Sequence, residues 1–129
     1  MNGSYLLDTN IVIALFARDS GVANGLAAAT AVYLPSIVLG ELHFGARRSA
    51  RAEANIARIE NFRARNIVLN VETATAEHYG QIKNTLRLKG RPIPENDIWI
   101  AALAVQHQLT LVTRDAHFRA IATLSLEHW

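Results

Sequence analysis

Four carboxylates, Asp8, Glu41, Asp97 and Asp115, each stand where a regular element begins, ends or turns inward. Together they have the chemistry of a metal site that cleaves a phosphodiester. Their contexts are Leu6-Leu7-Asp8-Thr9-Asn10, Leu39-Gly40-Glu41-Leu42, Pro94-Glu95-Asn96-Asp97 and Val112-Thr113-Arg114-Asp115. About four negative charges balance two Mg²⁺ or Mn²⁺ ions roughly 3.5 to 4 Å apart, the spacing that clamps the attacking and leaving oxygens of a phosphodiester. Such hard cations prefer oxygen ligands. The attacking group is then metal-activated water, and no protein nucleophile is required. Thr9, Asn10 and Thr113 can hydrogen-bond a carboxylate, a water or the phosphate, although plain capping and strand-end satisfaction explain them equally well.

The elements that must position these acids alternate. Tyr5 to Asp8 reads as a short apolar strand running into a helix to about Ala17, with Thr9 or Asn10 as its cap. A short helix follows over Val22 to Ala29, then a strand over Val32 to Leu34. Ser36 is placed to cap a helix through about Arg47. The spacing of Ile56, Ile59 and Phe62 predicts a helix over Ala50 to Ala64. Ile67 to Val71 reads as a strand, and Thr73 to Leu88 as a helix stopped by Gly90 and Pro92. Pro94 opens a helix to about Gln106. Leu109 to Thr113 is a strand, His117 to Ile121 a helical turn and Leu124 to Leu126 an edge strand. Strands separated by helices predict an α/β fold of three α/β/α layers, a central, mostly parallel sheet flanked by helices.

In such a sheet functional groups gather at the carboxyl ends of the strands, so Asp8 and Asp115 are expected at one edge. Glu41 shares a helical face with Ile37, Val38, Phe44 and Gly45, an acid interrupting an apolar stripe. Asp97 precedes Ile100, Ala101 and Ala104 in the first turn of its helix, where the helix dipole favours the ionised form. Neither stripe carries a nearby Lys or Arg. An unpartnered buried acid is costly, and a divalent cation is the simplest partner.

Composition narrows the class. The chain has 129 residues, half of them hydrophobic and 19% charged, as expected for one compact domain over residues 1–129. Without cysteine there is no disulfide framework and no thiolate metal site, which is compatible with the cytoplasm. The apolar run from Ile11 to Ala17 is far below the roughly 20 residues that span a bilayer, so no membrane partner is expected. Setting the four acids aside leaves seven acidic residues against 13 Lys and Arg, a balance of +6. Arg47, Arg48, Arg51, Arg58, Arg63 and Arg65 form one basic group, and Lys83, Arg87, Lys89 and Arg91 another. Both suit a phosphate-tracking surface, and both also read as solvated helix faces.

Asp8-Thr9-Asn10 after a first strand, Ser36 to Leu42 with Phe44-Gly45-Ala46, Pro94 to Ala102, and Thr113-Arg114-Asp115-Ala116-His117-Phe118 follow one another in order along nearly the whole chain. This series resembles the PIN domain, specifically the VapC toxins of bacterial toxin–antitoxin pairs. The resemblance implies a Mg²⁺-dependent endoribonuclease, with Mn²⁺ as a substitute, that cuts tRNA or ribosomal RNA. It implies silencing by a cognate VapB-type antitoxin, a homodimer, and Asp8, Glu41, Asp97 and Asp115 as the metal-binding acids. A housekeeping PIN nuclease of RNA maturation would share every site residue, and a non-catalytic interaction module could share the fold. A phosphatase built on a strand-end Asp would want a second Asp two residues later, where Asn10 stands.

Other residues have plainer readings. His43 fits a surface or interface histidine. His117 lies close enough to Asp115 to reach a substrate phosphate, while Phe118 beside it points to packing of the last helical turn. Gly40 and Gly45 either admit another backbone, as across a dimer, or relieve crowding within the monomer. Trp99 and Trp129 read as packing residues rather than base-stacking platforms.

Overall fold

The computed structural model describes residues 3–129. Its elements are β1 (Ser4–Leu7), α1 (Thr9–Phe16), α2 (Ser20–Ala28), β2 (Ala31–Pro35), α3 (Ser36–Arg47), α4 (Ala52–Ala64), β3 (Ile67–Leu69), α5 (Thr73–Leu88), α6 (Glu95–Gln106), β4 (Thr110–Val112), a 3₁₀ turn (Ala116–Ala120) and β5 (Leu126–Glu127). The five strands form one sheet in the order β3-β2-β1-β4-β5. Every strand pair is parallel, so the sheet is wholly rather than mostly parallel. Six helices flank it, giving the three α/β/α layers.

The central strand explains the pattern. β1 is hydrogen-bonded on both sides, Leu6 facing Tyr33 of β2 and Leu111 of β4. Leu6 and Leu7 point to opposite faces and both are fully buried. Strands are added outward from β1 first on one side and then on the other, so a topological switch point lies between β1 and β4. The amide of Asp8 donates to the Val112 carbonyl at 3.0 Å, which fixes the first acid at the carboxyl edge of both strands.

Two helix caps differ from the sequence reading. The cap of α1 is Asp8 itself, whose side chain accepts from the Thr9 amide, so neither Thr9 nor Asn10 serves that role. Ser36 is the first residue of α3, after Pro35, and makes no side-chain cap bond. The strands around Ile67 and Leu109 are shorter than their apolar runs, and the last strand is shifted to Leu126–Glu127. A strand ends where its neighbour's hydrogen bonds end, which an apolar run does not mark; Ile67 and Val71 are both exposed.

On α3 the buried column is Val38, Leu42 and Ala46, spaced four residues apart. Phe44 and Gly45 are exposed, contrary to the expected inward stripe, and Glu41 stands on its flank, half-buried. A Cβ on Gly40 or Gly45 would meet nothing within 4 Å, so crowding within the monomer does not account for either glycine. Gly25 is different. A Cβ there would lie 2.4 to 2.7 Å from ring atoms of Trp129, which also packs edge-on against Tyr5.

Helices α5 and α6 are joined by Thr75, which is fully buried. Its hydroxyl donates to Gln106 Oε1 and accepts from the Glu72 amide at 2.9 Å, while Gln106 Nε2 donates to Glu72 Oε1 at 3.0 Å. Thr75→Val keeps the shape and leaves two of these groups without a partner. It is expected to lower unfolding free energy by about 1–3 kcal/mol in urea denaturation, and a neutral result would exclude the network as a stabilising element. No single helix among the described residues is long and apolar enough to cross a membrane; α1 and α2 meet at a 110° bend.

Candidate metal centre

The carboxyl edge of β1 and β4, the flank of α3 and the first turn of α6 open onto one cleft of about 630 Å³. Asp8, Glu41, Asp97 and Asp115 all line it, with Thr9, Asn10, Ile13, Asn96 and His117. Glu41 and Asp97 lie 33 and 89 residues from Asp8 in sequence, and each arrives on a different element.

Asp8 is almost inaccessible, at 3% exposure. Its Oδ1 accepts from the Thr9 amide at 2.8 Å, and its Oδ2 from the Thr113 hydroxyl at 2.7 Å and Asn10 Nδ2 at 3.4 Å. These donors are all neutral. Glu41 accepts from the Thr9 hydroxyl through Oε1 and from Asn96 Nδ2 through Oε2, the latter at 3.3 Å. Asp97 Oδ2 lies 2.6 Å from His117 Nε2. Asp115 is the most open of the four; its amide donates to Thr113 Oγ1 at 3.0 Å, and its Oδ2 accepts from Asn10 Nδ2 at 3.5 Å. Asn10 and Thr113 thus each bridge Asp8 and Asp115, and Thr9 bridges Asp8 and Glu41.

Among the described residues no Lys or Arg forms an ion pair with any of the four acids; the one basic group within reach is the His117 imidazole. Burial pushes the Asp8 carboxyl up from its ordinary range, the Thr113 and Thr9 hydrogen bonds oppose this, and the charges of Asp97 and Asp115 add to it. Burial likewise raises Asp97, with His117 opposing and Asp115 and Glu41 reinforcing. A crowded set of oxygens with too little positive charge fits a divalent cation by its donor chemistry.

The sign of the pH dependence follows. Groups with raised native pKa values contribute stability that is present below the ordinary aspartate value of about 3.9 and lost as pH rises through the native values. A cation needs the ionised forms, so its contribution runs the other way. The rise in melting temperature given by saturating Mn²⁺ is therefore expected to shrink from neutral toward mildly acidic pH; a metal-induced shift that grows with acidity would contradict this.

Two contributors were not assigned this place from sequence. Asn96 was passed over, although it precedes Asp97 in the first turn of a helix. His117 is open in the sequence between reaching toward Asp115 and packing; Phe118, fully buried, is the residue that packs, while the imidazole turns into the cleft. His43 lies elsewhere, 3.1 Å from Glu60 Oε2.

Residues 5–124 match the model of the PIN domain family. The chain belongs to the PIN-domain family. Among PIN proteins it is a ribonuclease of the VapC toxin type, as its relatives agree. It is 38% identical to ribonuclease VapC2 of Haemophilus influenzae over 128 residues, 97% of each chain. It is 38% identical over 97 residues, 74% of each chain, to a protein of Shigella flexneri named tRNA(fMet)-specific endonuclease VapC. The VapBC2 structure of Rickettsia felis, bound to a DNA fragment from its promoter, contains a chain that superposes with a TM-score of 0.90 at 32% identity, covering 98% of both chains.

Proposed function

We propose that residues 1–129 form a single PIN domain that hydrolyses RNA of the tRNA or ribosomal class with Mg²⁺, or Mn²⁺ in its place, as the toxin of a VapB-controlled pair. The observation that carries this reading is the convergence of four acids on one cleft whose donors are otherwise neutral. Asp8, Glu41, Asp97 and Asp115 hold the ions. When bound, divalent cations acidify an attacking water and neutralise charge on the scissile phosphate and its leaving oxygen. Thr113 and Asn10 fix the Asp8 carboxylate relative to Asp115, and Thr9 fixes Glu41, so these three acids keep one arrangement as substrate enters.

The flank of the cleft suits a protein partner. Ile13 and Phe44 expose 56% and 64% of their surface, and Arg48 lies over the Phe44 ring at 4.8 Å. Apolar surface rimmed by cations favours a VapB-type antitoxin segment with acidic flanks, or a second copy of the chain in a cytoplasmic homodimer. The exposed arginines of α3 and α4 supply phosphate-tracking charge when the partner leaves.

The test compares the purified chain with its Asp8→Asn variant on total RNA, in Mg²⁺, in Mn²⁺ and in chelator. Cutting that needs metal and vanishes in the variant is the expected result. Equal cleavage by both proteins, or none by either, would sink the nuclease reading.

A further inference from the structure

We infer that His117 is itself a ligand of the cation, so that Asp97, Asp115 and His117 grip one ion through two carboxylate oxygens and an imidazole nitrogen, and that this nitrogen tips the site toward Mn²⁺ over Mg²⁺. The inference rests on the metal-nuclease reading above. One donor atom from each of these residues lies within 4.8 Å of the other two. His117 Nε2 is 4.0 Å from Asp115 Oδ2, a spacing that two ligands of one ion can adopt, and 2.6 Å from Asp97 Oδ2, a direct hydrogen bond that an ion would replace by entering between the two groups.

The imidazole is not a surface group that happens to reach inward. The 3₁₀ turn holds it there, because the next residue, Phe118, is fully buried and anchors the backbone one position away. Its ring lies 5.0 Å from the Phe118 ring, tilted by 40°. His117 is one-third exposed on its side chain, enough for ion access.

The two ends of the cleft are chemically unlike. Asp8 and Glu41 meet hydroxyl and amide donors, whereas the Asp97 end adds nitrogen. Mg²⁺ accepts oxygen almost exclusively, while first-row transition ions gain from imidazole. A plain orienting role for His117, donating a hydrogen bond to Asp97, would affect both ions alike.

Pulsed EPR of Mn²⁺ bound to the whole chain separates the two. The expected spectrum carries the coupling of a directly bonded nitrogen, absent from His117→Gln and retained in His43→Gln, whose imidazole lies outside the cleft. Calorimetric titration should show the Mn²⁺ Kd of His117→Gln rising about tenfold while the Mg²⁺ Kd changes far less. Bound Mn²⁺ without nitrogen coupling, or an equal loss for both ions, overturns the inference and leaves the nuclease reading standing. An ion that does not bind the wild-type chain overturns both, and nitrogen-coupled Mn²⁺ with uncut RNA would overturn only the nuclease reading.

Discussion

Asp97→Asn is expected to cut RNA at least about a thousandfold more slowly than the parent, yet to unfold at a higher temperature in chelator. The first effect follows from what a cation contributes at a scissile phosphate, several kcal/mol of charge stabilisation at about 1.4 kcal/mol per tenfold in rate. An amide weakens its hold. The second follows from the neighbours: Asp97 is raised by burial and by the charges of Asp115 and Glu41. An amide removes that cost and can still accept from His117 through its oxygen. The difference in melting temperature should be largest at neutral pH, where the parent is ionised, and close as acid protonates it. A variant that keeps more than a tenth of the activity, or melts below the parent in chelator at neutral pH, would contradict the reasoning.

Phe118→Ala carries the largest expected structural penalty. Phe118 heads the fully buried side chains by volume and lies between His117 and the end of the chain's last crossover. Emptying its place is expected to cost about 3–5 kcal/mol, through lost transfer energy and an unfilled cavity. In a domain of this size that lowers the melting temperature by on the order of 10–20 °C. Phe44→Ala, at an exposed site, is the control and should stay within about 0.5 kcal/mol. Calorimetry on both decides it: similar losses would mean that Phe118 is not the anchor of its turn.

The alternation of strand and helix was legible because β1 and β4 are short apolar runs bounded by polar residues, and because α5 carries a clean stop at Gly90, whose φ of +66° L-residues avoid. The family was legible in the four ordered acid contexts. What sequence could not give is which way a side chain turns. Asp8 and Thr9 compete for the same capping role, and tertiary contacts decide it: the Thr9 hydroxyl goes to Glu41, leaving Asp8 to cap. On α3, Glu41 was placed among inward residues because Ile37 and Phe44 are apolar, but apolar type does not fix burial, and Phe44 faces outward. His117 was ambiguous for a related reason, since adjacent residues of a tight turn point in different directions. Its partner Asp97 is 20 residues away in sequence.

The Thr113–Asp8 hydrogen bond spans 105 residues, and its consequence concerns how the protein is made. Parallel strands cannot close as local hairpins, and non-local pairing is paid for in loop entropy before it is rewarded. The cleft therefore has no forerunner in a partial chain: until the segment carrying Thr113, Asp115 and His117 has left the ribosome and docked beside β1, Asp8 ends a strand that lacks its β4 neighbour.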